Sequence, residues 1–185
     1  MSAPRRQWTR PVRTDLPNRP SIAPGRWWTT SFEPHVSRHE APGSSSPMTH
    51  VEVTADVRAD PDTLWRKIGS FQGVGEWHPL LASVHGEGEG PDAIRTAVGV
   101  DGSEQVERLQ EVDPTRRLYR YVMESTAMPV RDYRAELRVE PDGDGGSTVR
   151  WTSDFEVTGD DHDGTAEVIR GFLDAGLRNI PAVQS

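Results

Sequence analysis

The order of local signals after Met48 constrains this chain more than any single motif. Val51, Val53, Ala55 and Val57 alternate with Glu52, Thr54, Asp56 and Arg58, which is the period-two pattern of a half-buried strand. A short helical stretch holding Trp65 and Trp77 follows. Six further strand-like segments then run on without a helix between them, and one amphipathic helix closes the chain. A long antiparallel sheet with one C-terminal helix to cover its apolar face has the geometry of a container. It implies an enclosed apolar small molecule and makes the inward-facing residues the ones to question.

The segments read as follows. Asp60-Pro61-Asp62 is a helix start: Asp60 can cap, Pro61 suits the first helical position, and Asp62 suits the positive helix end. Leu64, Trp65 and Ile68 give the buried face. Gly73 and Gly75 are expected to break this helix before a second short turn leads to Trp77-His78-Pro79. Strands are expected over Leu81 to His85, Ile94 to Val100, Gln105 to Val112 and Leu118 to Met123, with Asp101-Gly102 as a hairpin turn and Glu124 to Pro129 as a loop. The sixth strand turns Tyr133, Ala135, Leu137 and Val139 to one side. The seventh does the same with Val149, Trp151, Ser153, Phe155 and Val157. An acidic loop, Asp160 to Asp163, opens the last helix, whose inner stripe is Val168, Ile169, Phe172, Leu173, Gly176 and Ile180.

Charge divides the chain. Residues 1–47 carry seven arginines against three acidic residues, a net of +4, while residues 48–185 carry 14 basic against 26 acidic, a net of −12. An acidic domain repels phosphate backbones, so no nucleic-acid partner is expected. The absence of cysteine excludes disulfides, thiol catalysis and thiolate-bound metal. Lys67 is the single lysine beside 20 arginines, a bias expected of a GC-rich bacterial genome. Residues 1–47 hold eight of the 15 prolines and no helical or strand periodicity. They read as a disordered Pro/Arg-rich extension or as sequence upstream of a true start at Met48. Trp8, Trp27 and Trp28 could instead anchor a partner or a membrane surface there. Arg5-Arg6 is followed by no apolar segment, so no export signal is read, and no stretch is long and apolar enough for a transmembrane segment. The expected location is cytoplasmic and the expected state a monomer or homodimer.

From about Met48 to Ile180 the chain resembles the START-related, helix-grip superfamily known as polyketide cyclase/dehydrase and lipid transport (SRPBCC). Four stretches carry the likeness: Asp60-Pro61-Asp62-Thr63-Leu64-Trp65, Trp77-His78-Pro79, Val106-Glu107-Arg108-Leu109 and Pro129-Val130-Arg131-Asp132-Tyr133. The last two, with Trp151 and the closing helix, look most like the bacterial branch related to plant abscisic-acid receptors. The resemblance implies an α+β helix-grip fold. In it a seven-stranded antiparallel sheet curls around a long C-terminal helix, two short helices follow strand 1, and an apolar cavity lies inside. It implies residues 48–185 as the ligand-binding domain and a hydrophobic small molecule as partner, with cyclisation or dehydration of a bound polyketide in some members. The receptors' ligand-holding lysine falls here near Leu81, and their gating loop is cut to Asp101-Gly102-Ser103, so neither the hormone nor the phosphatase partner is carried over.

Within such a cavity Glu107 is the sharpest candidate. If Leu109 and Tyr133 point inward, period two brings Glu107 and Gln105 inward as well. A carboxylate there either faces a ligand, acts as an acid/base, or pairs with an arginine or water to fix the sheet. Tyr121 and Tyr133 can present hydroxyls to a ligand or simply pack. Trp77 and Trp151 wall the cavity or belong to plain core, and Phe172 with Gly176 forms a bulky/small pair on the helix. His78 is expected near the cavity mouth and is the one histidine worth testing as an acid/base. His162, among Asp160, Asp161 and Asp163, lacks a second histidine at ligand spacing, so no metal is read; nor is a cofactor, for want of a phosphate loop. No Ser-His-Asp arrangement is readable from spacing. Three functions remain: a carrier or sensor of a hydrophobic molecule such as a lipid or polyketide, a polyketide cyclase or aromatase, and an interaction module with a collapsed cavity.

Overall fold

The computed structural model describes residues 47–180; the N-terminal extension with Trp8, Trp27 and Trp28 lies outside the described residues. The element order is β1 (Met48–Val57), α1 (Pro61–Ile68), α2 (Val74–Trp77), β2 (Leu81–Glu87), β3 (Ile94–Gly99), β4 (Glu104–Asp113), β5 (Leu118–Thr126), β6 (Val130–Pro141), β7 (Ser147–Val157) and α3 (His162–Arg178). All seven strands form one antiparallel sheet in the order β1-β7-β6-β5-β4-β3-β2. β1 and β2, neighbours in sequence, are the two edges, so α1 and α2 carry the chain from one edge to the other. α3 lies on β1 and β7. This is the expected helix-grip arrangement.

The local chemistry accounts for the boundaries. Asp60 caps α1 by accepting from Thr63 N–H, with Pro61 in the first turn. α1 ends at Gly69, not at Gly73 and Gly75 as the sequence implied: Gly73 precedes α2 and Gly75 lies inside it. A side chain at Gly69 would start 2.4 Å from the Trp65 ring, so glycine lets that ring fold back over the helix end. Asp161 caps α3 by accepting from Gly164 N–H, which makes His162 the first helical residue and not part of a loop. Gly102 and Gly143 take positive φ in the β3–β4 and β6–β7 turns.

Inward residues of β6 and β7 follow the alternation read from sequence; Leu137, Val149, Trp151 and Phe155 are fully buried. Each such side chain stabilises the fold by roughly 1.5–3 kcal/mol on burial. Ile169, Leu173, Gly176 and Leu177 make the buried stripe of α3, while Val168 and Phe172 are only half-buried and Ile180 lies beyond the helix. β5 runs on to Thr126, through much of what reads as a loop.

Candidate functional site

The inner faces of β3, β4 and β5 carry something other than aliphatic core. Arg95 and Glu107 are directly opposite each other on β3 and β4, and both point inward at 2% and 4% exposure. Arg95 Nε–H donates to Glu107 Oε2 at 2.5 Å, and a second guanidinium N–H donates to the Phe71 carbonyl. The guanidinium lies 4.0 Å from the centre of the Phe71 ring and 5.0 Å from that of Tyr121, within cation–π range of both. Burial works to lower the Arg95 pKa, but Glu107 and the neighbouring tyrosines overcome it and hold the cation above the ordinary arginine value.

An aromatic shell encloses this pair. Phe71 meets Tyr119 edge-on, and Tyr119 and Tyr121 are side by side on β5. Tyr121 accepts from Trp151 Nε1–H at 3.2 Å. Trp151 in turn contacts Trp77, and Tyr133 stacks on Phe155. Burial raises the pKa of Tyr119, Tyr121 and Tyr133, so these hydroxyls stay neutral and offer hydrogen bonds in place of charge. Four buried side-chain atoms make no hydrogen bond of good geometry among the described residues: Gln72 Oε1, Trp77 Nε1, Tyr119 Oη and Ser153 Oγ, the last beside the Tyr133 hydroxyl. The Tyr119 hydroxyl lies beside Arg95 but makes no hydrogen bond of good geometry to it.

His78 is not at a mouth. It is 2% exposed, its ring stacked 4.1 Å from Phe172 and edge-on to Trp151. Nδ1 accepts from Leu80 N–H at 3.2 Å, which leaves Nε2–H to donate to the Phe172 carbonyl at 3.1 Å. Both nitrogens are therefore engaged by backbone. Burial pushes the His78 pKa down to about 4, Arg95 adds to that, and the bond to Phe172 only partly opposes it. Gly176 permits the contact, because a Cβ there would sit 2.6 Å from His78 Cδ2. Phe172 and Gly176 thus form a socket for His78 that ties the α2–β2 step to α3.

The sequence candidates fall into two groups. Glu107, Tyr121, Tyr133, Trp77 and Trp151 converge on the inner wall, whereas Phe172 belongs to the histidine socket. His162 is exposed, and no cluster of metal-ligating residues exists among the described residues. Arg95, Phe71 and Tyr119 were not read from the sequence. The register that brings Arg95 opposite Glu107 comes from a three-residue loop, Val100 to Gly102, closed by Gly99 N–H donating to the Ser103 carbonyl; a two-residue turn at Asp101-Gly102 would have set Thr96 there instead. The whole arrangement can hold and orient oxygen groups. It holds few means of moving a proton, since Glu107 is ion-paired, His78 is engaged at both nitrogens and the tyrosines are neutral.

A curled antiparallel sheet closed by a C-terminal helix around a polar-aromatic interior defines a helix-grip protein. The chain belongs to the polyketide cyclase/dehydrase and lipid transport family, which matches residues 48–184. Among solved structures it is similar to XoxI from Bacillus cereus, 23% identical over 71% of this chain and 92% of that one, with a TM-score of 0.66. It is also similar to a protein from Thermobifida fusca, 28% identical over 69% and 84%, TM-score 0.56. Ara h 8.0201 shares the fold at 16% identity over 72% and 95%, TM-score 0.61. No curated protein matches the sequence. The finer likeness to plant abscisic-acid receptors rests on the sequence motifs alone.

Proposed function

We propose that the domain of residues 48–185 binds a small, mainly apolar molecule carrying at least one oxygen function, held between the sheet and α3, as a carrier or sensor. Family membership supports hydrophobic ligand binding in general. The observation that carries the specific reading is the buried Tyr119 hydroxyl, which makes no hydrogen bond of good geometry beside the Arg95–Glu107 pair inside an aromatic shell, with Trp77 Nε1 also unpartnered on the inner wall. Buried polar groups in native proteins are almost always hydrogen-bonded, and an unpaired one calls for a water or ligand partner. Trp77, Glu107, Tyr121, Tyr133 and Trp151 are the ligand-facing residues on this reading, with Arg95 and Tyr119 added and Phe172 acting through His78.

Cyclisation of a bound polyketide-like chain is the second reading. What favours it is the Arg95 cation, which could stabilise an enolate oxygen while the walls position the chain. The carrier reading is preferred because no free acid/base faces inward among the described residues.

The test is native mass spectrometry of the full chain purified gently from its host, followed by titration with the polyene fatty acid cis-parinaric acid. A discrete mass lost on denaturation, and saturable probe binding weakened by Tyr119→Phe and Tyr133→Phe, are expected. A protein that carries no small molecule and takes up no apolar probe refutes the proposal.

A further inference from the structure

The sheet is not continuous between its two middle hairpin strands. β5 and β6 pair from Leu118↔Arg138 to Val122↔Arg134, and there the pairing stops. Beyond that point β5 continues along β4, through Met123↔Glu107 to Thr126↔Gln105. β6 continues along β7, through Arg131↔Glu156 to Val130↔Val157. The two strands therefore leave each other while each stays attached to its outer neighbour.

A bulge stands on each side of the parting. On β5 the register slips between Ser125 and Met123, which makes Glu124 the extra residue. On β6 it slips between Arg131 and Arg134, where Asp132 adopts a φ of 53°. Bulges bend a strand and re-aim its side chains, and Asp tolerates the left-handed region better than most residues. In the opening lies a pocket of about 360 Å³, lined by Met123, Glu124 and Ser125 on one side and Arg131, Asp132 and Tyr133 on the other.

Its rim is polar and its floor is not. Glu124, Ser125, Arg131 and Asp132 are exposed at the surface, whereas Tyr133 is buried and Met123 packs against the core. Met123 is the cross-strand neighbour of Glu107, and Tyr133 adjoins Tyr121. The floor of the pocket is thus the outer wall of the polar-aromatic interior.

We propose that this parting of β5 and β6 is the entrance through which an amphipathic ligand reaches the interior, its apolar body passing Met123 and Tyr133. The inference rests on the ligand-binding reading above. It concerns the path, which that reading leaves open.

The chain has no cysteine, so a single introduced thiol can be labelled selectively. Ser125→Cys carrying a short polyethylene glycol maleimide plugs the pocket, and Asp132→Cys plugs it independently from the opposite strand. Asp144→Cys, in the β6–β7 turn, carries the same group as control. Stopped-flow fluorescence with cis-parinaric acid gives entry and exit rates, with circular dichroism confirming the fold of each labelled protein. Both rates are expected to fall about tenfold with the plug while their ratio, Kd, is kept, because blocking a route slows passage in both directions. The control is expected to match the unlabelled protein. Unchanged rates in both plugged proteins overturn the entrance and leave ligand binding standing. A weakened Kd with unchanged entry overturns it in favour of a binding pocket at the rim. If the unlabelled protein takes up no probe, the ligand-binding reading fails and the entrance with it.

Discussion

The two faces of the sheet carry the same chemical pair in opposite settings. Outside, arginines and glutamates alternate across β4, β5, β6, β7 and β1: Arg120 reaches both Glu111 and Glu136, Arg138 reaches Glu136, and Arg150 reaches Glu52. Inside stands Arg95–Glu107, with side chains 2% and 6% exposed. Water screens the outer pairs and could replace any of them. The inner pair has given up its hydration, and its attraction must offset that cost through geometry alone. The outer ladder keeps a solvated sheet in register and soluble. The inner pair is a weak choice for stability, and its place beside the unpartnered Tyr119 hydroxyl is what ties it to the proposed ligand binding.

The sharpest way to break this comparison is to remove one inner charge. Glu107→Gln leaves the Arg95 cation buried without its counter-ion and is expected to lower stability by about 3–5 kcal/mol in urea unfolding. Replacing both partners, Arg95→Met with Glu107→Leu, is expected to restore most of that stability while weakening binding of an oxygen-bearing apolar probe. If Glu107→Gln costs no more than an outer substitution, the two faces are equivalent and the contrast fails.

A second test lies in pH. The His78 pKa falls from 6.5 unfolded to about 4 folded. The unfolded chain therefore binds the proton first as pH drops, so the contribution is whole above pH 6.5 and is lost on the way down to about 4. Such a shift is expected to remove about 3 kcal/mol across that window. Urea unfolding at stepped pH, set against His78→Gln, isolates it: the variant is expected to be less stable near neutrality and to show a shallower acid slope. Parallel slopes would mean that His78 is not held neutral in its socket.

How much of this was legible in the sequence depends on whether local alternation kept its meaning. It held on β6 and β7, where every second residue from Tyr133 and from Ser147 is buried and all but Ser147 and Ser153 are apolar, and it placed Glu107 inward from Leu109. On β3 it inverted. Ile94 is 39% exposed while Arg95, beside it, is buried, so a hydrophobic pattern points the strand the wrong way round. Only cross-strand register identifies Arg95, and register is a property of two segments together. The β5–β6 parting was hidden for a related reason: bulges at Glu124 and Asp132 interrupt the period of two, and the stretch from Glu124 to Pro129 reads as a loop. Likewise the end of α1 carries glycine at position 69 because the Trp65 ring takes the space of a side chain, a contact that helix-breaking rules at Gly73 and Gly75 do not contain.

Gly176→Ala probes the apolar partner of the inner wall. The new methyl would begin 2.6 Å from His78, closer than real carbon contacts allow, and a tight 3.0 Å from the Trp151 ring. α3 must shift, at an expected cost of about 1–3 kcal/mol by overpacking. The shift should also disturb the Trp151–Tyr121 hydrogen bond, read as a change in near-ultraviolet circular dichroism. An alanine that raises stability through helix propensity would show that the helix can move away from His78 freely.

The smallest effect is expected from the outer face, and its smallness is what gives the inner result meaning. Arg120 bonds Glu136 at 2.6 Å and Glu111 at 2.7 Å, yet its side chain is 45% exposed. Screening and the entropy of holding a long side chain leave an exposed pair worth below about 1 kcal/mol. Arg120→Ala should therefore shift the urea midpoint slightly, and less still at high salt, since the Debye length shrinks from about 10 Å to about 3 Å between 0.1 and 1 M. Glu107→Gln should keep nearly its full effect in the same salt, because ions do not reach a pair enclosed by Phe71 and Tyr121. A salt response of equal size at both sites would place water beside Arg95 and Glu107, and would move the ligand's polar contacts to a solvated part of the interior.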